Sequence, residues 1–184
     1  MQSPLDPAEL HDHSDITTRT EAATVDDEAF AYREAHAGMA IVGVPSDTGS
    51  VLLMRSPHGW RLPYVPVRRD ADWLAVVREA GAAMTGEAVD FAAAERVCEI
   101  TYRLDGETAS TAAVEHDDEK RNDEKQVIGH DVVLRASPVS GEPVAANPVV
   151  HPWGELTLSW FDSVPDDAYA AHEDTVPDIR SILG

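Results

Sequence analysis

The residues with the most chemistry to offer stand in four places. Arg78 and Glu79 are neighbours inside "WLAVVREAGAAMTG" (73–86), a stretch with the cadence of a helix that carries an acid beside a base. Glu115, His116, Asp117, Asp118 and Glu119 are crowded together at the start of a charged run. "HDH" fills positions 11–13, and Cys98 is the single cysteine. Gathered carboxylates hold Mg²⁺ or Mn²⁺, hard cations that take oxygen ligands. A metal held so can activate water and offset charge that develops on a phosphate.

Each group also has a plainer reading. A charged run is usually solvated surface. "HDH" could bind a metal, but it sits in a polar terminal stretch that reads as a mobile arm. Cys98 lies in an apolar-alternating run, where a buried inert thiol is the better reading than a nucleophile. With one cysteine no internal disulfide forms. Trp60, Trp153 and Trp160 flank strands and read as core before they read as stacking platforms for a base.

Charge narrows the field. The net charge is −20, from 34 acids and 14 bases, and only Lys120 and Lys125 are lysines. Phosphate backbones would be repelled, so no nucleic-acid partner is expected. The acids are scattered over the chain, the pattern of a halophilic surface kept soluble at high salt. At ~1 M ionic strength the Debye length is about 3 Å, so self-repulsion is mostly screened. Most acids are then expected to serve solubility. A chain of 184 residues, 43% hydrophobic, supports one ordinary globular domain. No run approaches the roughly 18 apolar residues of a membrane helix. "MQSPLDPAEL" has neither the basic flank nor the apolar stretch of a signal peptide. No membrane partner and a cytoplasmic location are the expectations.

The elements that must position these residues follow from pattern. Residues 1–15 read as a flexible N-terminal arm and 16–184 as a single domain. "ITTRTEAATV" (16–25) alternates as an edge strand does. "DDEAFAYREAHAG" (26–38) reads as a helix capped by Asp and ended by Gly38. "MAIVGVPSDTGSVLLMRSP" (39–57) reads as a β-hairpin around "PSDTG", and "GWRLPYVPV" (59–67) as a short strand broken by prolines. In the helix at 70–86, Trp73, Val76, Val77, Ala80, Ala83 and Met84 share one arc of roughly 120° at 100° per residue. Trp73, Val77, Ala80 and Met84 are its expected buried face. Strands follow at 95–104 and 107–115 around Asp105-Gly106, at 126–139 and at 154–167, with a C-terminal helix at 168–183 interrupted near Pro177. The class is α+β, a mixed sheet with helices on its faces.

This order, with "WRLP" at 60–63, "LSWFDSVPDD" at 158–167 and the hairpin "AIVGVPSDTGSVLLMRSP", resembles the Nudix hydrolase superfamily over residues 16–183. The resemblance implies a Nudix-like mixed sheet and hydrolysis of nucleoside diphosphates linked to another moiety. It implies a Gly-Gly loop leading into a helix whose glutamates hold Mg²⁺ or Mn²⁺. Here Tyr64-Val65 replace the glycines. In the gapless register the first signature Glu falls on Ala71, the Arg-Glu pair on Glu79-Ala80, and the Glu-Glu pair on Ala83-Met84. The other register keeps Arg78-Glu79 as the Arg-Glu pair and puts Ala82-Ala83 at the Glu-Glu pair. Both lose that pair. Arg78 then reads either as the arginine that orients a helix Glu or as a surface residue covering apolar neighbours.

Two functions stay open. One is a Nudix-fold descendant, catalytically impaired, that binds a nucleotide or other small phosphorylated ligand or serves a structural role; no cofactor is expected. The other is an active hydrolase whose Mg²⁺ or Mn²⁺ is held by relocated ligands: Glu79, as its one candidate catalytic residue, with Glu115, Asp117, Asp118 and Glu119. The feature that divides them is whether carboxylates cluster in the cleft beside the 70–86 helix.

Overall fold

The computed structural model describes residues 5–106, 125–150 and 154–184. Along the chain its elements are α1 (Pro7–Leu10), β1 (Thr17–Val25), α2 (Asp27–Ala35), β2 (His36–Gly43), β3 (Val51–Ser56), β4 (Gly59–Arg61) and β5 (Tyr64–Arg68). Then come α3 (Trp73–Thr85), β6 (Phe91–Leu104), β7 (Gln126–Ala136), β8 (Val149–Val150), β9 (Gly154–Glu155), β10 (Leu158–Phe161) and α4 (Thr175–Leu183). The main sheet has the order β1-β6-β7-β2-β5, and a smaller one the order β10-β3-β4. In the main sheet β1 and β6 are parallel, β6 and β7 antiparallel, β7 and β2 parallel, β2 and β5 antiparallel. The class is α+β with a mixed sheet.

Strand periodicity sends alternate side chains to two cores. Ala40, Val42, Val132 and Leu134 point to the α3 face, and Ile41 and Val133 to the α4 face, where Ile179 and Ile182 meet them. α3 is fixed at both ends. The Asp72 carboxylate accepts from the backbone N–H of Leu74 and Ala75 at 2.8 and 3.2 Å, an N-cap worth about 1 kcal/mol. Gly86 takes φ 79°, the left-handed conformation of a helix C-cap. Between the caps Trp73, Val77, Ala80 and Met84 are buried on one face. Val76 and Ala83, from the same apolar arc, are only half-buried.

Several elements differ from the sequence reading. α2 ends at Ala35, not at Gly38. Gly38 lies inside β2 with φ 155°, and a Cβ there would sit 1.7 Å from the His130 carbonyl oxygen. The glycine serves strand contact rather than helix termination. The hairpin around "PSDTG" is short: Leu52 N–H donates to Val44 O at 3.0 Å, after which β2 and β3 part into different sheets. The single broken strand at 59–67 is two strands. Pro66 is tolerated in β5 because β5 is the sheet edge and pairs only with β2. Strand 154–167 is split into β9 and β10, and Pro177 lies in the first turn of α4, where its missing N–H costs little. The strand expected at 107–115 lies outside the described residues; β6 pairs instead with β7. In the terminal stretch, Leu5, Leu10 and Ile16 pack against the α3-side core.

Candidate functional site

The main cleft, about 610 Å³, lies beside α3. Four segments build it. α3 contributes Val76, Glu79, Ala80 and Ala83, and Ala71 precedes it. The edge strand β5 gives Val65, Pro66 and Arg68; the end of α2 and start of β2 give Tyr32 and His36; β8 gives Val149 and Val150. The volume falls in the range of small-molecule sites, and the lining has their character, mostly apolar with a few polar groups.

The polar groups are arranged by local structure. Tyr32 and His36 are four apart, so their rings meet, stacked with centroids 4.1 Å apart. The His36 Nδ1 lies 2.8 Å from the Tyr32 carbonyl oxygen. That oxygen can only accept, so Nδ1 carries the proton and Nε2 is the free position. Burial raises the Tyr32 phenol pKa, which keeps it a donor. Arg68 has a loose partner in Asp70, 3.5 Å away with both side chains well exposed. Such a pair is worth little and leaves the guanidinium free to meet a ligand.

Glu79 is exposed and lines the cleft, the one carboxylate among its described lining residues. Its neighbour Arg78 pairs with Asp90, Nε to Oδ1 3.2 Å. Glu115, Asp117, Asp118 and Glu119 lie outside the described residues, as does Trp153. Among the described residues no group of three or more His, Cys, Asp or Glu could hold a metal ion. A hard divalent cation needs six or more oxygen ligands, several of them from protein. The described lining offers one carboxylate and does not fit such an ion.

The remaining candidates separate cleanly. Cys98 is buried, and desolvation raises its thiol pKa to about 12, so it stays protonated. In "HDH", the Nε2 of His11 is buried without a hydrogen-bond partner among the described residues; so is that of His130 on β7. Trp60 packs edge-on to Phe161 at 4.8 Å, and Trp160 donates from its indole to the Pro143 carbonyl at 3.2 Å. Neither lines the cleft. Val65, where the resemblance implies a glycine, is 2% exposed in the core.

Sequence reasoning missed Tyr32, His36, Arg68 and β8. The i, i+4 spacing of Tyr32 and His36 was the available signal for the first two. Nothing local marks Arg68 or Val149: β5 reaches the cleft as the sheet edge beside β2, and β8 by packing against α3. No protein-family model matches this chain, and neither does any curated protein.

Proposed function

We propose that this chain is a Nudix-fold domain that binds a small ligand in the α3 cleft without metal-dependent hydrolysis. One observation carries the reading. Ala71, Ala80 and Ala83, three positions where the family resemblance in its gapless register implies glutamates, all line the same cavity. On that reading the cavity takes the place of a catalytic site of that family, with methyl groups where the resemblance implies its acids. Val65 adds support, since a residue packed into the core of a strand cannot serve as a flexible phosphate loop.

The lining favours a ligand with an apolar or aromatic body and one phosphorylated end. The body would lie along Val65, Val76 and Ala83, and Arg68 would meet the phosphate. A lone arginine suits one anionic group better than a metal-bound diphosphate. The remaining reading, a hydrolase with relocated ligands, draws on Glu79, whose carboxylate does reach the cleft.

The test is Mg²⁺- and Mn²⁺-dependent phosphate release from a panel of nucleoside diphosphate derivatives at high salt, beside calorimetric binding of the same compounds. Binding without turnover, weakened by Arg68→Met, is the expected result. Metal-dependent turnover that Glu79→Gln abolishes would replace this reading with the relocated-site one.

A further inference from the structure

A second cavity lies on the opposite face of the main sheet, under α4. It is small, about 40 Å³, room for about three waters at roughly 10–15 Å³ each. Arg61, Arg96, Asp131, His172, Thr175 and Asp178 line it.

Two of these groups lack a polar partner among the described residues. Arg61 is half-buried and its guanidinium lies by two aromatic rings: its Cζ is 4.4 Å from the Tyr64 centroid and 5.7 Å from that of Tyr169. Contact with ring faces stabilises the cation but spends none of its five N–H donors. By contrast Arg19, Arg55, Arg68, Arg78, Arg96 and Arg135 each have a carboxylate within 4.0 Å. In a chain with 34 acids and 14 bases, an arginine on a cavity wall with no carboxylate has a free valence. Asp131 is the second group. It sits on β7 between Cys98 of β6 and Met39 of β2, inside the run "VIGHDVVL". No protein group hydrogen-bonds its carboxyl among the described residues. Arg96, unlike Arg61, is committed to Asp178 and Asp174.

We infer that this cavity binds a small oxyanion, a carboxylate or phosphate group, with Arg61 as its charged contact. The surroundings fix the sign of the ligand. The charged groups that face Asp131 are Arg33 from α2, Arg96 from β6, His172 ahead of α4 and Glu21 from β1. Arg96 and Asp178 on the same wall neutralise each other, which leaves Arg61 and His172 against Asp131 to set the sign of the ligand. An oxyanion would accept from the Arg61 fork, the Thr175 hydroxyl and His172. None of the residues lining this cavity lines the α3 cleft, so the inference is independent of the function proposed above.

The experiment is calorimetric titration of the full chain with inorganic phosphate and, separately, with acetate, each against chloride at fixed ionic strength. Saturable binding of either is expected, and the arm that binds identifies the headgroup. Arg61→Met keeps an apolar stem between the tyrosines and should weaken binding by about tenfold or more, as loss of a charge-assisted bond does. Arg180→Gln removes an exposed arginine at the far end of α4 and should leave binding unchanged. If Arg61→Met does not fold, ¹⁵N shifts of the unaltered chain decide: on adding the anion they should move at Arg61 Nε and Thr175. No saturable binding of either anion, an unaffected Arg61→Met, or shifts centred elsewhere would overturn the inference.

Discussion

Arg96 on β6 and Asp178 on α4 face each other as a two-pronged ion pair, Nε to Oδ1 2.8 Å and Nη2 to Oδ2 2.9 Å, with 9% of each side chain exposed. Arg96 also reaches Asp174 at 3.4 Å, and Asp174 in turn holds Arg19 of β1. One network therefore ties the C-terminal helix to two neighbouring strands. Taking charges out of water is costly, and the bond geometry offsets that cost only while both partners remain. Asp178→Ala should destabilise the fold by about 3–5 kcal/mol, because it takes both short bonds from a buried guanidinium and leaves it only Asp174 at 3.4 Å. The double change Arg96→Met with Asp178→Leu should cost much less. Chemical denaturation of the two variants checks this; equal losses would mean that the pair is not the determinant.

Folding should depend on salt. The charge of −20 must be packed onto one small domain, and among the described residues several acids, Asp162 and Asp166 among them, are exposed with no base beside them. At about 0.1 M salt the Debye length is roughly 10 Å and neighbouring acids repel; at ~1 M it is about 3 Å. Thermal midpoints should therefore be lower in 0.1 M than in 2 M KCl. Midpoints that do not rise with salt would remove the halophilic reading.

The helix beside the cleft was legible in sequence because its signals are local. Asp72 and Gly86 mark its ends, and the 100° step places Trp73, Val77, Ala80 and Met84 together. Trp73→Ala should cost about 3–5 kcal/mol, given a side chain almost wholly buried; a loss below about 1 kcal/mol would mean that the Trp73 face is not part of the core. Other features were not local. The parting of β2 from β3, and the pairing of β6 with β7 across residues 105–125, depend on which strands meet in space. Gly38 reads as a helix stop until His130 of β7 is brought against it. Asp131 and Arg61 carry one available hint each, an acid inside an apolar strand run and an arginine between aromatics. Neither hint says that the two share a cavity.

Asp131 also makes a prediction about pH. Burial raises its folded pKa above the ordinary 3.8, so the folded state binds this proton more tightly than the unfolded state. Its contribution to stability is then fully present below pH 3.8 and is lost as pH rises through the raised folded value. Above that raised value the buried carboxylate opposes folding. Asp131→Asn removes that opposition and keeps a side chain of similar shape. The variant should melt higher than the parent at pH 8, and the gap should close as the pH approaches 4. A variant that melts lower at pH 8 would show that the ionised carboxyl is held by favourable contacts.

The structure separates two residues that the helical arc grouped together. Ala83 is half-buried and opens onto the cleft, while Met84 is 0% exposed in the core. A carboxylate at 84 would be buried without a partner, a cost of several kcal/mol, whereas one at 83 would reach solvent through the cleft. Ala83→Glu should therefore fold, and Met84→Glu should not. Adding Ala71→Glu to Ala83→Glu places two new carboxylates on the wall that already carries Glu79. Three oxygen-bearing side chains around one cavity begin to resemble a hard-cation site. The double variant should bind Mn²⁺ measurably by calorimetry where the parent does not, and Glu79→Gln should weaken that binding. Turnover of a diphosphate is a stricter demand, since Tyr64-Val65 stand where the proposed resemblance implies a glycine loop. If the double variant folds yet binds no Mn²⁺, the alanines do not stand where a metal site once stood, and the reading of this cleft as an emptied catalytic site fails.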